Sequence, residues 1–202
     1  MPDLSNETLI VFDVETTGLY PKGGDRIIEL AAVKLNGPTI VDQFTSLVNP
    51  QRPVPYEATS VNGITDPMLK KAPLPEAVYP KLVEFIGRGY VVGHNIGFDM
   101  EFLDMELTRL SLNLDHHAGT IDTVRMAKDL YPNLPRYTLL AVAQFLDLGK
   151  EQKHRALEDV NMTAKVFLKM LGYAQKKNIS SIHEIIKAYG SMNTWESKGL
   201  FA

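Results

Sequence analysis

A chain of 202 residues is long enough for one domain with a large core, and 45% apolar and 22% charged residues are typical of a globular protein, neither disordered nor membrane-embedded. The absence of cysteine excludes disulfides, thiolate metal sites and cysteine nucleophiles, and suits a reducing compartment. The net charge of −3 argues against a broad basic surface for nucleic acid, but bound metal ions can supply positive charge at a local site.

The first residues, MPDLSNET, have neither the basic region nor the long apolar region of an export signal. No apolar run in the chain approaches the roughly 20 residues that a membrane helix needs. We therefore expect a cytoplasmic protein that does not bind a membrane.

The first predicted element is a strand that ends in two acidic residues. In LIVFDVETTGL, residues 9–19, the apolar Leu9 and Val11 precede Asp13 and Glu15. Side chains two residues apart share a face of a strand, so the two carboxylates lie together. This is costly unless a cation or a proton compensates the charge. The pair is therefore a candidate metal site, although many strands simply end in solvated acids.

The elements that follow predict the fold class. Strands at 26–35 and 39–48 are joined by a turn, which favours an antiparallel meander of the first three strands. The proline-rich stretch from 49 to 75 predicts only short helices that form a wall rather than a linker. Further strands are expected at 90–93 and 119–121, and helices at 75–86, 96–110, 122–130, 137–146, 156–175 and 178–190. The order of elements predicts an α/β fold with a central mixed five-stranded sheet flanked by helices.

The second motif, VGHNIGFDMEFL, spans residues 92–103 and places Asp99 in the first turn of a helix after the fourth strand. The helix dipole stabilises a carboxylate there, so Asp99 could serve the helix alone. His94 and Asn95 could donate hydrogen bonds to a substrate or cap the helix. Phe98 could belong to the core or stack against a base. If the first and fourth strands are both central, their ends lie side by side, where open α/β sheets place their sites.

The third motif is HRALEDVNMT, residues 154–163. His154 and Asp159 are five residues apart, which is roughly 140° around a helix, so they cannot share one face of it. We therefore expect His154 on the loop before the helix and Asp159 within the helix. Because histidine takes up protons near neutral pH, His154 could act as a general base towards a reacting water.

Four acids from separate segments, together with one histidine, form a set of hard ligands. Such a set selects Mg²⁺ or Mn²⁺ over Zn²⁺. Four carboxylates are neutralised by two divalent cations, and a pair of such ions about 3.5 to 4 Å apart suits in-line displacement at phosphorus. The residues concerned are Asp13, Glu15, Asp99, Asp159 and His154.

The three motifs FDVETTGL, HNIGFDMEFL and HRALEDVNMT together resemble the exonuclease motifs of the DEDD superfamily, in the subgroup whose third motif carries histidine. They occur in the order of that family and span most of the chain. The segments RIIELAAV and NGIT also resemble sequence segments of that family. The epsilon proofreading subunit of bacterial DNA polymerase III is a member of this subgroup. The resemblance implies a ribonuclease-H-like fold and hydrolysis of nucleotides from a 3′ end to nucleoside 5′-monophosphates.

The resemblance also implies roles for individual residues. Asp13, Glu15 and Asp159 would hold a first metal ion that carries the attacking water. Asp13 would also reach a second ion, with Asp99, beside the departing 3′ oxygen. His154 would be the general base. The residues implied to line the substrate pocket are Thr16, Leu19, His94, Asn95 and Phe98.

Several alternatives stay open. The resemblance favours single-stranded DNA or frayed 3′ ends as substrate and a polymerase subunit as partner, but RNA 3′-end trimming and a non-catalytic polymerase-interaction module are the alternatives. Residues 1–175 would form the exonuclease domain, and 176–202 a C-terminal helix and tail. In the tail, Trp195, Leu200 and Phe201 could pack on the domain or dock on a partner. We expect Asp122 to cap a helix rather than bind a metal.

Overall fold

One mixed β-sheet organises the protein. The computed structural model describes residue 4, residues 6–149 and residues 151–192. The strands within this part are β1 (Leu9–Thr16), β2 (Ile27–Asn36), β3 (Thr39–Leu47), β4 (Tyr90–Gly93), β5 (Gly119–Asp122) and β6 (Gly190–Met192). The helices are α1 (Tyr56–Asn62), α2 (Asp66–Leu69), α3 (Pro75–Ile86), α4 (Ile96–Arg109), α5 (Thr123–Leu130), α6 (Leu139–Phe145), α7 (Ala156–Lys176) and α8 (Ile182–Tyr189).

The strands are ordered β3-β2-β1-β4-β5-β6 across the sheet. The first three strands form the predicted antiparallel meander, and β1 pairs in parallel with β4, as expected for two central strands. The predicted mixed α/β fold is confirmed. The predicted count of five strands is wrong, because β6 adds an antiparallel edge strand next to β5. This strand has only three residues, Gly-Ser-Met, and no alternation of apolar side chains that a sequence pattern could reveal.

The core lies on both faces of the sheet, and β1 contributes to each face in alternation. Leu9 and Val11 are buried with residues of α5, α6, α7 and α8, whereas Ile10 and Phe12 are buried with residues of α3 and α4. Because side chains alternate along a strand, Asp13 continues the face of Leu9 and Val11. The strand therefore presents its acids on the side of the sheet that α7 covers.

The C-terminal part of the described chain packs on the sheet through α8 and β6. Ser181 and Glu184 form a capping box at the start of α8, and the Tyr189 hydroxyl donates a hydrogen bond to Asp129 of α5, 2.8 Å away. The expected helix at 178–190 is thus shorter than predicted and gives way to a strand. The tail residues Trp195, Leu200 and Phe201 lie outside the described residues. Among the helices that are described, none is both long and apolar enough to cross a bilayer.

Candidate active site

Three of the predicted acids meet where β1 ends and α4 begins. Asp13 and Glu15 are carried by β1, and Asp99 lies in the first turn of α4, as predicted. The Val14 amide, between the two strand acids, donates a hydrogen bond to Asp99 Oδ1 at 3.1 Å. Asp99 is only 4% exposed. This acid therefore fastens the start of α4 to the end of β1 rather than serving its own helix alone.

The third motif supplies one buried acid and one exposed histidine. Asp159 lies in the first turn of α7, whereas His154 precedes that helix, as the spacing predicts, and has a positive φ of 49°. The ligand atoms of Glu15, His154 and Asp159 all lie within 4.8 Å of one another. Gln152 donates a hydrogen bond to Asp159 Oδ2 at 2.8 Å, while the buried Oδ1 has no hydrogen-bond partner within the described part of the chain.

The electrostatics of the cluster oppose ionisation of its acids. Burial, followed by the charges of Asp99, Asp159 and Glu15, raises the pKa of Asp13 well above its usual value. Burial raises the pKa of Glu15 to about 8, and the charge of Asp159 adds to this effect. Burial also raises the pKa of Asp99 to about 8 and raises that of Asp159. A cluster that resists charging in this way is one that a bound cation would stabilise.

The residues present fit a divalent metal ion. Carboxylate oxygens from two strand positions and two helices converge, and they are the ligands that hard divalent cations prefer. The buried Oδ1 of Asp159 is a strong acceptor without a protein donor, which a cation would satisfy. The trio of Glu15, His154 and Asp159 has the spacing of a metal site. Asp13 and Asp99 lie outside that trio but interact with it electrostatically.

Two clefts adjoin this cluster. The first, which we call the apolar cleft, has a volume of about 390 Å³. It is lined by the end of β1, the loop that follows it, α1 and α4, among them Glu15, Thr16, Leu19, Val61, Asn62 and Phe98. The second, which we call the wide cleft, has a volume of about 690 Å³, and its lining includes Asp13, His94, Asn95, Tyr137, Gln152 and His154. The five residues predicted to line one substrate pocket are therefore divided between two clefts.

The loop after β1 presents Leu19 at the apolar cleft, where its side chain is 68% exposed. Asp25 holds this loop, since its carboxylate accepts hydrogen bonds from the Thr17 hydroxyl at 2.9 Å and the Tyr20 amide at 3.1 Å. A Cβ at Gly18 would collide with that carboxylate. The glycine of this motif is thus explained by the close approach of Asp25.

His94 has no ring nitrogen free for a substrate. Its Nε2 lies 2.8 Å from the Tyr137 carbonyl oxygen, to which it must donate, and its Nδ1 lies 2.9 Å from the Thr123 hydroxyl. Burial lowers the pKa of His94, so the ring is neutral at neutral pH. The predicted contact of His94 with a substrate stays a prediction, and both ring nitrogens already have partners.

Asn95 and Asp122 have different roles at the ends of the neighbouring strands β4 and β5. Asn95 lies before α4 with a positive φ of 67°, and its exposed side chain forms no cap. Its backbone amide donates a hydrogen bond to Asp122 Oδ1 at 3.0 Å. The same oxygen accepts from the Val124 amide at 2.8 Å at the start of α5. The prediction that Asp122 caps a helix is confirmed, and the Asn95 side chain remains available to the wide cleft.

Sequence reasoning missed four residues that support the cluster. Glu29 on β2 is 5% exposed and forms an ion pair with Arg155, the residue after His154. Asn62 of α1 is buried and donates a hydrogen bond to Glu15, which partly offsets the raised pKa of that acid. Gln152 contacts Asp159 as described above. Glu29 did leave one signal, because it is the lone acid in the apolar run IIELAAV.

Comparisons with known proteins agree with this geometry. The family model described as "Exonuclease" matches residues 10–167. A PolC-type DNA polymerase III from Caldanaerobacter subterraneus is 40% identical over 176 residues, which are 87% of this chain and 12% of that protein. A DNA polymerase III subunit epsilon-like protein from Rhodobacter capsulatus is 34% identical over 187 residues, 91% of this chain and 26% of that protein. The chain thus spans only a minor part of these relatives.

A solved structure has the same fold. Exonuclease X, in complex with 5′ overhanging duplex DNA, matches with a TM-score of 0.70 and 26% sequence identity, covering 89% of this chain and 98% of that one. The match confirms the predicted ribonuclease-H-like architecture.

Proposed function

The chain belongs to the exonuclease family, and from this premise we propose that it removes nucleotides from the 3′ ends of DNA during proofreading or repair. Family membership confirms the resemblance seen in the three motifs. The observation that carries the proposal is the convergence of Glu15, His154 and Asp159 within 4.8 Å, beside Asp13 and Asp99. A structural role alone would not need so costly a cluster of buried acids.

The family uses divalent metal ions, and we propose that two Mg²⁺ or Mn²⁺ ions bind here. Asp13, Glu15 and Asp159 would hold one ion, and Asp13 and Asp99 would hold the other. When bound, the ions supply positive charge at the scissile phosphate, which favours both the attacking and the departing oxygen. Four carboxylates carry a charge of −4, so the complete set of ligands suits two divalent cations.

His154 would act as the general base. The oxygen of a water molecule forms a bond to phosphorus while a ring nitrogen of His154 accepts the proton. The bond between phosphorus and the 3′ oxygen of the preceding nucleotide breaks, and that oxygen keeps the electron pair and takes a proton from solvent. The products are a nucleoside 5′-monophosphate and a strand one nucleotide shorter. The exposure of His154 suits this exchange of protons with water.

The two clefts would hold the last two nucleotides. The apolar cleft can take the terminal base, because Leu19 and Phe98 offer apolar and aromatic surface for stacking. The wide cleft can take the neighbouring nucleotide, with the exposed amide of Asn95 and the ring of Tyr137 in its wall. A net charge of −3 gives no general attraction for DNA, so we expect binding to be confined to a single-stranded or frayed 3′ end at the metal site.

The relatives support a place next to a polymerase. The PolC-type protein and the epsilon-like protein both carry the name of DNA polymerase III, and the match covers only a minor part of each. We therefore propose that this domain acts beside a polymerase in the cytoplasm. Residues 176–202 are proposed to complete the domain through α8 and β6, with the remaining tail as a candidate contact for that partner.

One experiment tests the proposed function directly. The purified chain would be incubated with 5′-labelled DNA and RNA oligonucleotides of one sequence, with paired and mismatched 3′ ends, in Mg²⁺ or in chelator. We expect stepwise shortening of DNA, faster at mismatched ends and absent in chelator. Faster degradation of RNA would favour RNA trimming instead. A folded chain that cleaves neither substrate but binds a polymerase would favour the interaction module, and full activity in chelator would exclude the metal-dependent reaction.

A further inference from the structure

A fifth acid adjoins the cluster, and the proposed reaction gives it no role. Glu29 on β2 lies directly opposite Glu15 in the antiparallel register of β1 and β2. It is 5% exposed, and like charges that face one another across strands are destabilising. A carboxylate buried in such a place must be paired to persist.

Glu29 is paired with the junction between the histidine loop and α7. The guanidinium of Arg155 donates from Nη2 to Oε1 at 2.6 Å and from Nε to Oε2 at 2.9 Å, which is a two-pronged contact of fixed geometry. The amide of Ala156, the first residue of α7, donates to the same Oε2 at 3.0 Å. These hydrogen bonds fasten the junction to the central sheet.

The junction carries both functional residues of the third motif. His154 is the residue before Arg155, is exposed, and has a positive φ, which is uncommon for a residue other than glycine. The Asp159 amide donates to the Arg155 carbonyl oxygen at 3.0 Å in the first turn of α7. The position of Arg155 therefore fixes the backbone on both sides, towards the proposed base and towards a proposed metal ligand.

We propose that Glu29 and Arg155 are positioning residues that act as one unit. Their ion pair locks the histidine loop and the start of α7 to β2, and so sets where His154 and Asp159 stand relative to Glu15. The inference rests on the proposed function for its kinetic consequences, but its effect on metal binding can be measured without any cleavage.

The test compares two matched pairs of residues. Glu106 of α4 is 1% exposed and is also held by an arginine fork, from Arg26 Nε at 2.6 Å and Nη2 at 2.8 Å, so Glu106→Gln makes the same chemical change at a second buried ion pair. The full chain would be prepared as Glu29→Gln, Arg155→Lys, the double variant of these two, and Glu106→Gln. For each variant, kcat and KM on a DNA oligonucleotide, Mn²⁺ affinity by calorimetry and the melting temperature would be measured.

We expect Glu29→Gln and Arg155→Lys each to weaken Mn²⁺ binding about 10-fold and to lower kcat about 10- to 100-fold, because residues that orient metal ligands have effects of this size. KM for the oligonucleotide should change less than about 3-fold. Because the two residues act together, the double variant should have the same kcat and Mn²⁺ affinity as the more impaired single variant. Glu106→Gln should lower the melting temperature without changing kcat or Mn²⁺ affinity.

Each outcome decides something. If Glu29→Gln and Arg155→Lys lose stability as Glu106→Gln does but keep kcat and Mn²⁺ affinity, the ion pair is only structural and the inference is overturned, while the proposed function stands. If the wild-type chain cleaves nothing but these two variants alone lose Mn²⁺ affinity, the inference stands and the proposed function fails. Should Glu29→Gln fail to fold, Arg155→Lys, which keeps the positive charge, carries the same comparison.

Discussion

The two halves of the active site are built in different ways. Asp13 and Glu15 stand on a central strand whose preceding residues, Leu9 to Phe12, are completely buried or nearly so, and their backbone is paired on one side with β2. His154 stands on an irregular loop, is exposed, and adopts a positive φ. The acids are therefore fixed by the fold itself, whereas the histidine depends on a few long-range contacts. Charges that must stay close need a rigid frame, and a group that exchanges protons with water needs exposure.

The largest loss of activity is expected when a carboxylate of the cluster is removed. Asp13→Asn or Asp159→Asn should lower kcat by about 10³-fold or more, since metal ions contribute several kcal/mol to such reactions. The melting temperature in the absence of metal should stay constant or rise, because one of several mutually repelling acids is lost. Nuclease assays and thermal melts would check both effects.

The control for this change is Asp122→Asn, which alters a neighbouring acid that caps α5. Asparagine is also a good cap, so activity should stay within about 3-fold. Wild-type rates in Asp13→Asn would contradict the assignment of that acid.

Removal of the histidine should have the next largest effect. His154→Ala should lower kcat by about 10²- to 10⁴-fold, the usual contribution of a general base. Because the residue is exposed, the melting temperature should hardly change. Single-turnover nuclease assays of His154→Ala and the wild-type chain would measure the loss. A wild-type rate in His154→Ala would show that another group takes the proton.

The pH dependence of stability distinguishes the two halves without any substrate. Burial raises the folded-state pKa of Glu15 and Asp99 to about 8, above their ordinary values of 4.5 and 3.8. In the metal-free protein, the stability contributed by these groups is complete below the unfolded pKa and is lost as pH rises towards the folded pKa. A bound cation favours the charged forms and opposes this loss.

Added Mg²⁺ should therefore raise the melting temperature by about 5 °C more at about pH 8 than at about pH 5.5. Thermal melts in a series of buffers would measure this difference. His154→Ala should keep most of it, and Asp13→Asn should lose most of it. Equal shifts at both pH values would mean that the acids do not bind the ion.

The smallest expected effects concern the apolar cleft. Leu19→Ala and Phe98→Ala should raise KM for a DNA oligonucleotide about 3- to 30-fold, since stacking on one base contributes about 1 to 3 kcal/mol. Because Leu19 is 68% exposed, its variant should keep wild-type stability, while Phe98→Ala should lose some, since its ring packs on Phe102 at 4.9 Å. Phe145→Ala, an exposed aromatic outside both clefts, is the matched control and should leave KM unchanged.

Much of the fold could be predicted because its signals are local. The alternation along β1, the turn before β3 and the helical spacing in α7 each lie within a short stretch of sequence. The site residues of the three motifs could be proposed for the same reason, and the structure brings Asp13, Glu15, Asp99, Asp159 and His154 together. Their chemical roles stay predictions.

The rest depends on contacts between distant residues. Glu29 and Arg155 are 126 residues apart, and nothing in either local pattern indicates that they meet. The hydrogen-bond partners of His94 are Thr123 and Tyr137. Its own motif therefore could not indicate that both of its ring nitrogens are occupied. The strand β6 was missed because three residues without alternation acquire their conformation from the neighbour with which they pair.

The register of the sheet determines where flanking polypeptide could be connected to this domain. Leu9 pairs with Tyr90, Tyr90 with Gly119, and Gly119 with Met192, so the first residue of β1 and the last of β6 lie in one row across four strands. At about 4.8 Å per strand, some 14 Å separates them, at the end of the strands remote from the acids. Flanking polypeptide joined at these two positions would therefore begin at the edge of the sheet that is remote from the acidic cluster. It would leave the proposed entrance for a nucleic acid end open.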